Sequence, residues 1–201
     1  ARPTPCRVSL TPVAGSATFP GSGIMGFFAS VNGLVTPAAE ARVSVLDNGF
    51  TFGDAVYETL RTYGGRPFAL GRHLARLRRS ASGLGIALPL SDEELVARLD
   101  ALLARAGNPE SYVRLMVSRG VGDVSYHFER VHGPTVVMLA KPYEPLPAER
   151  YASGVALALV ALRRNAPQAL DPALKTCNLL NNVLATREAQ SHGAFEALML
   201  N

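Results

Sequence analysis

The chain has 201 residues, of which 48% are hydrophobic and 18% charged, so its composition predicts a packed globular protein and excludes a disordered one. The formal net charge is only +4 and the arginines are spread along the chain, so no nucleic-acid partner is expected. No apolar run approaches the length of a membrane span, so we expect no membrane partner either.

Two short strands are predicted near the start of the folded part. Residues 1–24 are rich in Pro, Gly, Ser and Thr and lack the apolar run of a signal peptide, so we expect a flexible extension there. Residues 27–36 then read FFASVNGLVT, in which Asn32-Gly33 predicts a β-hairpin turn. Residues 56–70 repeat this pattern, with two strands joined at Gly64-Gly65.

Two helices are predicted next. Over 70–84 the apolar residues recur at the spacing of an amphipathic helix. A second helix begins after Ser91, because Ser91-Asp92-Glu93-Glu94 matches a capping box and is followed by regularly spaced leucines.

The rest of the chain predicts two further strands, a linker and a second domain. Strands are expected at 111–120 and 133–142. Residues 142–150 contain three prolines and are interpreted as an interdomain linker. This divides the chain into an N-terminal α/β domain at 25–141 and the start of a C-terminal domain at 151–201.

Within the second domain, residues 154–162 predict a buried strand and residues 195–201 predict another. Between them, residues 178–193 predict a helix that ends at Gly193. This is little chain for a complete core, so we expect the second domain to be incomplete here.

Lys175 is one of only two lysines in the chain, the other being Lys141. Unlike arginine, lysine has an amine that can lose a proton when it is desolvated and can then attack a carbonyl. Lys175 stands shortly before an apolar helix, where such desolvation is expected. A surface lysine near a helix start is the alternative reading.

Three further residues are candidates for binding. Arg76 lies on the polar side of the first helix, and its planar guanidinium suits a phosphate or a carboxylate. The alternative is a solvated basic face. Tyr112 and Arg114 alternate along a strand and therefore share one face, where they suit a carboxylate or form the outer surface of a sheet.

Other familiar motifs are missing from the sequence. The glycine-containing stretches match neither a P-loop nor a dinucleotide-binding turn, and the histidines lack zinc-type spacing, so no metal site is expected. His73 is interpreted as a core residue on the apolar side of its helix. The cysteines, Cys6 and Cys177, are far apart, which favours a reduced, cytoplasmic protein over a disulfide scaffold.

Four segments in this order resemble the class IV (fold-type IV) pyridoxal-phosphate aminotransferases, a family that includes branched-chain aminotransferases, D-amino-acid aminotransferases and aminodeoxychorismate lyases. They are DNGFTFGDAVYETLRTYGGRPF (47–68), HLARLRRSA (73–81), SYVRLMVSRG (111–120) and RNAPQALDPALKTCNLLNNVLATREA (164–189). The resemblance covers roughly residues 28–201.

The resemblance implies an α/β (α+β) fold of two domains with pyridoxal 5′-phosphate in the cleft between them. Lys175 would form the internal aldimine and move the proton between cofactor and substrate, and Arg76 would bind the cofactor phosphate. Tyr57 would line the substrate pocket, together with Tyr112 and Arg114. Members are usually homodimers in which a neighbouring subunit completes the pocket.

Within the family, the sequence favours transfer of an amino group from an apolar, branched-chain type amino acid to 2-oxoglutarate. Tyr112-Val113-Arg114 and the run Arg164-x-x-Pro167 resemble branched-chain enzymes. Val124 and Tyr126 replace the Arg and His of D-amino-acid enzymes, whereas Leu179 replaces a tyrosine usual in branched-chain enzymes. The lyase and the D-amino-acid enzyme remain the alternatives.

The resemblance also implies an acidic partner for the cofactor ring nitrogen and a second phosphate-binding turn, both after Asn201. We therefore expect that this chain alone is inactive although the full protein is an enzyme. The alternative from another class is a non-catalytic binding module.

Overall fold

The computed structural model describes residues 26–201, so the extension predicted at 1–24 lies outside the described residues. The strands are β1 (Phe28–Val31), β2 (Leu34–Pro37), β3 (Ala55–Tyr63), β4 (Arg66–Pro67), β5 (Ser111–Ser118), β6 (Thr135–Pro142), β7 (Leu157–Leu159) and β8 (Glu196–Leu198). The helices are α1 (Asn48–Thr51), α2 (Leu70–Gly83), α3 (Asp92–Ala106), α4 (Ala148–Ser153) and α5 (Leu180–Ser191), with a 3₁₀ turn at Phe128–Arg130.

Residues 28–142, called the sheet region below, form a six-stranded sheet in the order β2-β1-β6-β5-β3-β4. Every pair of neighbouring strands in it is antiparallel. Helices α2 and α3 supply leucines to the core that the sheet buries, and this core includes Leu77, Leu99 and Leu115. An antiparallel sheet with helices against it is the α+β architecture that the sequence predicted.

The predicted elements of the sheet region are confirmed. The hairpin turns at Asn32-Gly33, where both residues have positive φ. Helix α2 occupies 70–83, and α3 begins with the predicted capping box, in which Ser91 and Glu94 bond to each other's backbone N–H. The short helix α1 was not predicted, because four residues are too few for a helical period.

Strand β3 presents alternate residues to two different environments. Val56, Glu58 and Leu60 are buried on the side of the helices, whereas Tyr57 and Thr59 are half-buried on the other side. This alternation follows from the two-residue period of a strand. A carboxylate therefore lies in the buried row, where apolar residues are expected.

Arg119 joins three parts of the sheet region just after β5. Its guanidinium donates to the carboxylate of Asp54, which lies immediately before β3. It also donates to the carbonyl oxygens of Leu84 and Gly85 after α2, at 2.8 and 3.0 Å. The start of β3 and the end of α2 are thereby fixed relative to each other.

Residues 157–201, called the C-terminal region below, form a smaller unit. Strands β7 and β8 pair in parallel, and α5 packs against them around Val160, Ala185 and Ala189. Helix α5 and strand β8 confirm the helix and the last strand that were predicted here.

The prediction of a buried strand at 154–162 is wrong. Only Leu157–Leu159 form a strand, and Leu157 and Leu159 are 59% and 65% exposed. Among the described residues, only β8 pairs with β7, and the apolar run therefore has few partners to cover it. The segment interpreted as a linker, 142–150, contains the end of β6 and the start of α4.

Candidate active site

An open cleft of about 290 Å³ lies where the segment 164–182 meets β3 and α2. Three of the residues that line it, Tyr57, Arg76 and Lys175, were predicted as site residues. Three asparagines and a second arginine also line it, namely Asn165, Asn178, Asn182 and Arg164. The cleft therefore offers an amine, two guanidinium groups and amides, a set that suits an anionic ligand with a carbonyl group.

Lys175 lies in an extended segment that runs along the start of β3. Its carbonyl oxygen accepts a hydrogen bond from the Tyr57 N–H at 2.9 Å, and the Cys177 N–H donates to the Ala55 carbonyl at 2.7 Å. Between them, Val56 and Thr176 form an antiparallel bridge. Lys175 thus lies next to an isolated β-bridge that joins its segment to β3, five residues before α5 begins.

The amine of Lys175 lies against an aromatic ring. Its Nζ is 4.1 Å from the centre of the Tyr57 ring, and the guanidinium carbon of Arg114 is 4.3 Å from the same centre. Among the described residues, no carboxylate forms a salt bridge with Lys175. The ring therefore contacts two cations, and this cation–π arrangement orients the lysine without an ionic partner.

Cys177 lies two residues after Lys175 and is half-buried. Burial raises the pKa of its thiol, although the nearby charges of Arg114 and Lys175 act in the opposite direction. The thiol is therefore kept protonated near neutral pH.

Arg76 is not part of a solvated basic face, because one edge of its guanidinium is bound by the buried carboxylate of Glu58. Nε and Nη2 of Arg76 donate to the two carboxylate oxygens of Glu58, each at 2.6 Å. Glu58 is 1% exposed, whereas the Arg76 side chain is 41% exposed. Of the hydrogen bonds between described residues, none uses Nη1, so this edge of the guanidinium remains available to a ligand.

His73 completes this cluster, with Nδ1 located 2.8 Å from the Glu58 carboxylate. Burial opposes ionisation of Glu58, but the hydrogen bonds and charges of Arg76 and His73 outweigh it and hold its pKa below the usual range. The hydrogen bond to Glu58 in turn raises the pKa of Arg76. His73 was interpreted as a core residue, but it is only half-buried and its contact with Glu58 is polar.

Tyr112 and Arg114 share one face of β5, as their alternation predicted. Neither is among the residues that line the cleft. Arg114 reaches the neighbourhood of the cleft through Tyr57, whereas the nearest described cation to the Tyr112 ring is Lys141, 5.5 Å from its centre. Val124 and Tyr126, which bear on substrate choice, are exposed on the loop after β5.

Sequence reasoning missed Glu58 and Ser80. The signal for Glu58 was present, since a carboxylate in the buried row of a strand requires a cationic partner. Ser80, which is fully buried, accepts a hydrogen bond from the Lys175 N–H at 3.0 Å. No local pattern relates two residues so distant in sequence.

No helix in residues 26–201 is long and apolar enough to cross a membrane. The same residues contain no group of three or more His, Cys, Asp or Glu side chains placed to hold a metal ion.

Comparison with known proteins places these features in a family. Residues 55–201 match the family model described as amino-transferase class IV. A putative branched-chain-amino-acid aminotransferase of Methanocaldococcus jannaschii is 37% identical over 171 residues, which cover 85% of this chain and 58% of the relative. A D-alanine aminotransferase of Bacillus licheniformis is 32% identical over 84% of this chain and 58% of its own length.

The fold is similar to that of solved branched-chain aminotransferases. That of Thermoproteus uzoniensis, determined with norvaline, superposes with a TM-score of 0.77 at 28% identity, over 87% of this chain and 59% of the other. The present chain therefore spans a little under three fifths of the length of these three proteins.

Proposed function

The chain belongs to the class IV aminotransferases, and we propose that the intact protein transfers the amino group of an apolar, branched-chain type amino acid to 2-oxoglutarate with pyridoxal 5′-phosphate as cofactor. The observation that carries this proposal is the meeting of Lys175, Arg76 and Tyr57 in one cleft. An amine that can be deprotonated and a guanidinium with a free edge match the aldehyde and the phosphate of this cofactor.

Lys175 is proposed to hold the cofactor through Nζ. The bound cofactor supplies an electron sink for the charge that develops at the substrate Cα. Nζ of Lys175, once released, is the base that takes the proton from this carbon. The two hydrogen bonds on the main chain of Lys175 leave only its side chain free to move between these roles.

Arg76 is proposed to bind the phosphate through Nη1. Its other edge is bound by Glu58 in a bidentate ion pair, so the guanidinium is oriented before any ligand arrives. Such preorganisation lowers the entropy lost on binding. Glu58 itself is too buried to contact a ligand in the cleft.

Tyr57 is proposed to form the wall between the lysine and the substrate. Its ring contacts both Lys175 and Arg114, so it positions the amine. Arg114, with Tyr112 on the same strand face, is proposed to attract the substrate carboxylate. We further propose a homodimer, which the family resemblance implies, and a cytoplasmic location, which the two distant cysteines favour.

The amino donor distinguishes the activities of the similar relatives, which bear the names of branched-chain and D-alanine aminotransferases. The Tyr112-Val113-Arg114 sequence favours the branched-chain type. A panel of L- and D-amino acids with 2-oxoglutarate tests this directly. Glutamate formed from leucine, isoleucine or valine supports the proposal, whereas activity with D-alanine alone, or pyruvate released from aminodeoxychorismate, contradicts it.

The two lysines provide a matched test of the chemistry. Lys175→Arg and Lys141→Arg both keep the positive charge, but only the first removes the amine from the cleft. With pyridoxal 5′-phosphate, the intact protein and Lys141→Arg are expected to show a visible absorption band that borohydride removes. If the intact protein shows no such band, it is a non-catalytic module and the proposal fails.

A further inference from the structure

We infer that Ser80 is a positioning residue that fixes the main chain of Lys175 on helix α2, at a set distance from Arg76. The inference rests on the proposed function, since it concerns how the lysine and the phosphate-binding arginine are held together. It assigns a role to a residue of α2 that does not line the cleft.

The contact is a single hydrogen bond that is buried on the side of the serine and partly buried on the side of the lysine. The Lys175 N–H donates to Oγ of Ser80 at 3.0 Å, and Ser80 is 0% exposed. An N–H that is partly shielded from water and loses its acceptor costs more than an exposed one, because water replaces the bond only in part. The hydroxyl is therefore the anchor of the Lys175 N–H on the helix.

The other side of the same residue is anchored to a different element. The Lys175 carbonyl accepts from the Tyr57 N–H of β3 at 2.9 Å. The Cα of Lys175 is thus held between a helix and a strand, each of which carries another residue of the cleft. Arg76 lies on the helix and Tyr57 on the strand, so the main chain of the lysine is tied to both.

Because Ser80 and Arg76 lie on the same helix, the hydrogen bond to Ser80 also sets the distance between Lys175 and Arg76. Ser80 follows Arg76 by four residues, so the two lie on the same side of α2, one turn apart, with a rise of about 6 Å between them. Three residues further along, Gly83 lets the lysine segment approach closely. A Cβ atom at position 83 would lie 2.7 Å from Cδ2 of Leu174, the neighbour of Lys175.

Two positions of α2 therefore contact the segment that contains Lys175. The hydroxyl of Ser80 accepts a hydrogen bond from it, and the missing side chain of Gly83 leaves room for Leu174. A purely structural role would make Ser80 matter only for stability. A positioning role makes it matter for cofactor affinity and for the spectrum of the lysine-bound cofactor, because both depend on where Nζ lies relative to Arg76.

The test compares Ser80→Ala with Ser82→Ala in the intact protein. Ser82 is an exposed serine in the last turn of the same helix and serves as the matched control. Hydrogen exchange at the Lys175 amide is expected to accelerate on the order of tenfold in Ser80→Ala and to stay unchanged in Ser82→Ala. This readout requires neither cofactor nor activity.

The second readout is the affinity for the cofactor together with the pH dependence of its visible band. Ser80→Ala is expected to bind pyridoxal 5′-phosphate on the order of tenfold more weakly and to shift the pH dependence of its visible band, since one anchor of the lysine is lost. Should Ser80→Ala fail to fold, Ser80→Cys fills the same space with a poor acceptor and is expected to show the same changes, to a smaller extent.

The possible outcomes separate the two proposals. Unchanged amide exchange in Ser80→Ala, or faster exchange with unchanged cofactor affinity and spectrum, overturns the positioning role. A wild-type protein without a visible band contradicts the proposed function instead, and it also removes the cofactor role of Ser80 even if the amide exchanges faster. Equal effects in Ser82→Ala would mean a general loosening of α2 and likewise overturn the inference.

Discussion

The sheet region and the C-terminal region differ in how much of their apolar surface is covered. The sheet region buries a continuous core in which Leu77 and Leu102 are fully inaccessible. In the C-terminal region the described core consists of Val160, Ala185 and Ala189, while several leucines remain largely exposed. Burial of apolar area is the main source of stability, so the sheet region holds most of the folding free energy.

The site lies between these two unequal parts, and this explains how its residues are supported. Arg76 and Tyr57 belong to the sheet region and are held in place by its packed core. Lys175 belongs to the C-terminal region, yet its main chain is bonded to Ser80 and Tyr57 of the sheet region. The stable part therefore holds the reactive residue supplied by the less covered part.

The largest expected difference is in stability. Leu77→Ala removes a fully buried side chain and is expected to lower the free energy of unfolding by about 2–5 kcal/mol. Leu159→Ala makes the same chemical change at a residue that is 65% exposed and is expected to change it by less than about 0.5 kcal/mol. Urea unfolding of both variants checks this, and similar losses in the two would contradict the asymmetry.

A smaller loss of unfolding free energy is expected when the ion pair between Glu58 and Arg76 is broken. Glu58→Gln leaves Arg76 without its carboxylate and is expected to cost about 1–3 kcal/mol, towards the low end because Arg76 is partly hydrated. Glu196→Gln, on the exposed strand β8, is the control and is expected to have little effect. Phosphate affinity is expected to fall only in Glu58→Gln, as titration calorimetry with inorganic phosphate would measure.

The stability difference between wild type and Glu58→Gln is expected to depend on pH with a definite sign. The folded pKa of Glu58 is lowered, so the ionised carboxylate stabilises the protein above the pKa of an unfolded glutamate, about 4.3, and this contribution disappears as the pH falls through the folded value. The stability gap between wild type and Glu58→Gln is therefore expected to close under acid conditions. A gap that is constant from neutral to acid pH would contradict the role of the charge.

Two glycines of α2 distinguish free helix surface from the surface that receives the lysine segment. Alanine at position 71 meets nothing within 4 Å and is expected to stabilise the protein by up to about 1 kcal/mol through its helix propensity. Gly83→Ala has the same propensity gain but must displace Leu174, so its gain is expected to be smaller. Thermal unfolding compares them, and equal gains would mean that the segment is not packed on α2.

The smallest effect concerns Cys177, whose burial comes from the packing of its segment on β3. Because its thiol pKa is raised, less thiolate is present at a given pH, and alkylation near pH 8 is expected to be slower than in the unfolded protein. Peptide mapping after iodoacetamide treatment measures this residue separately from Cys6. Equal rates in folded and unfolded protein would show that the segment does not shield the thiol.

What the sequence could predict depended on the range of the interactions. The hairpin at Asn32-Gly33 and the capping box at Ser91 were predicted because each is determined by adjacent residues. The buried strand at 154–162 was wrong, because an apolar run shows that burial is favourable but not that partners exist to cover it. The Ser80–Lys175 bond joins residues that only the tertiary fold brings together.

For the candidate site, the residue types were more informative than their surroundings. The rare lysine and the helical arginine were candidates by residue type, the family resemblance selected Lys175 and Arg76 among them, and the structure brings both to one cleft. The ion pair below Arg76 was missed because Glu58 and Arg76 lie on different elements. Tyr112 shows the converse, since its strand face was predicted correctly but it does not line the cleft.

The measurement that tests the central claim most directly is the site of cofactor attachment. The intact protein is incubated with pyridoxal 5′-phosphate, reduced with borohydride, digested and analysed by mass spectrometry. We predict the phosphopyridoxyl group on Lys175, in the cleft beside Arg76, with none on Lys141. Attachment at Lys141, or no attachment at all, would contradict the account.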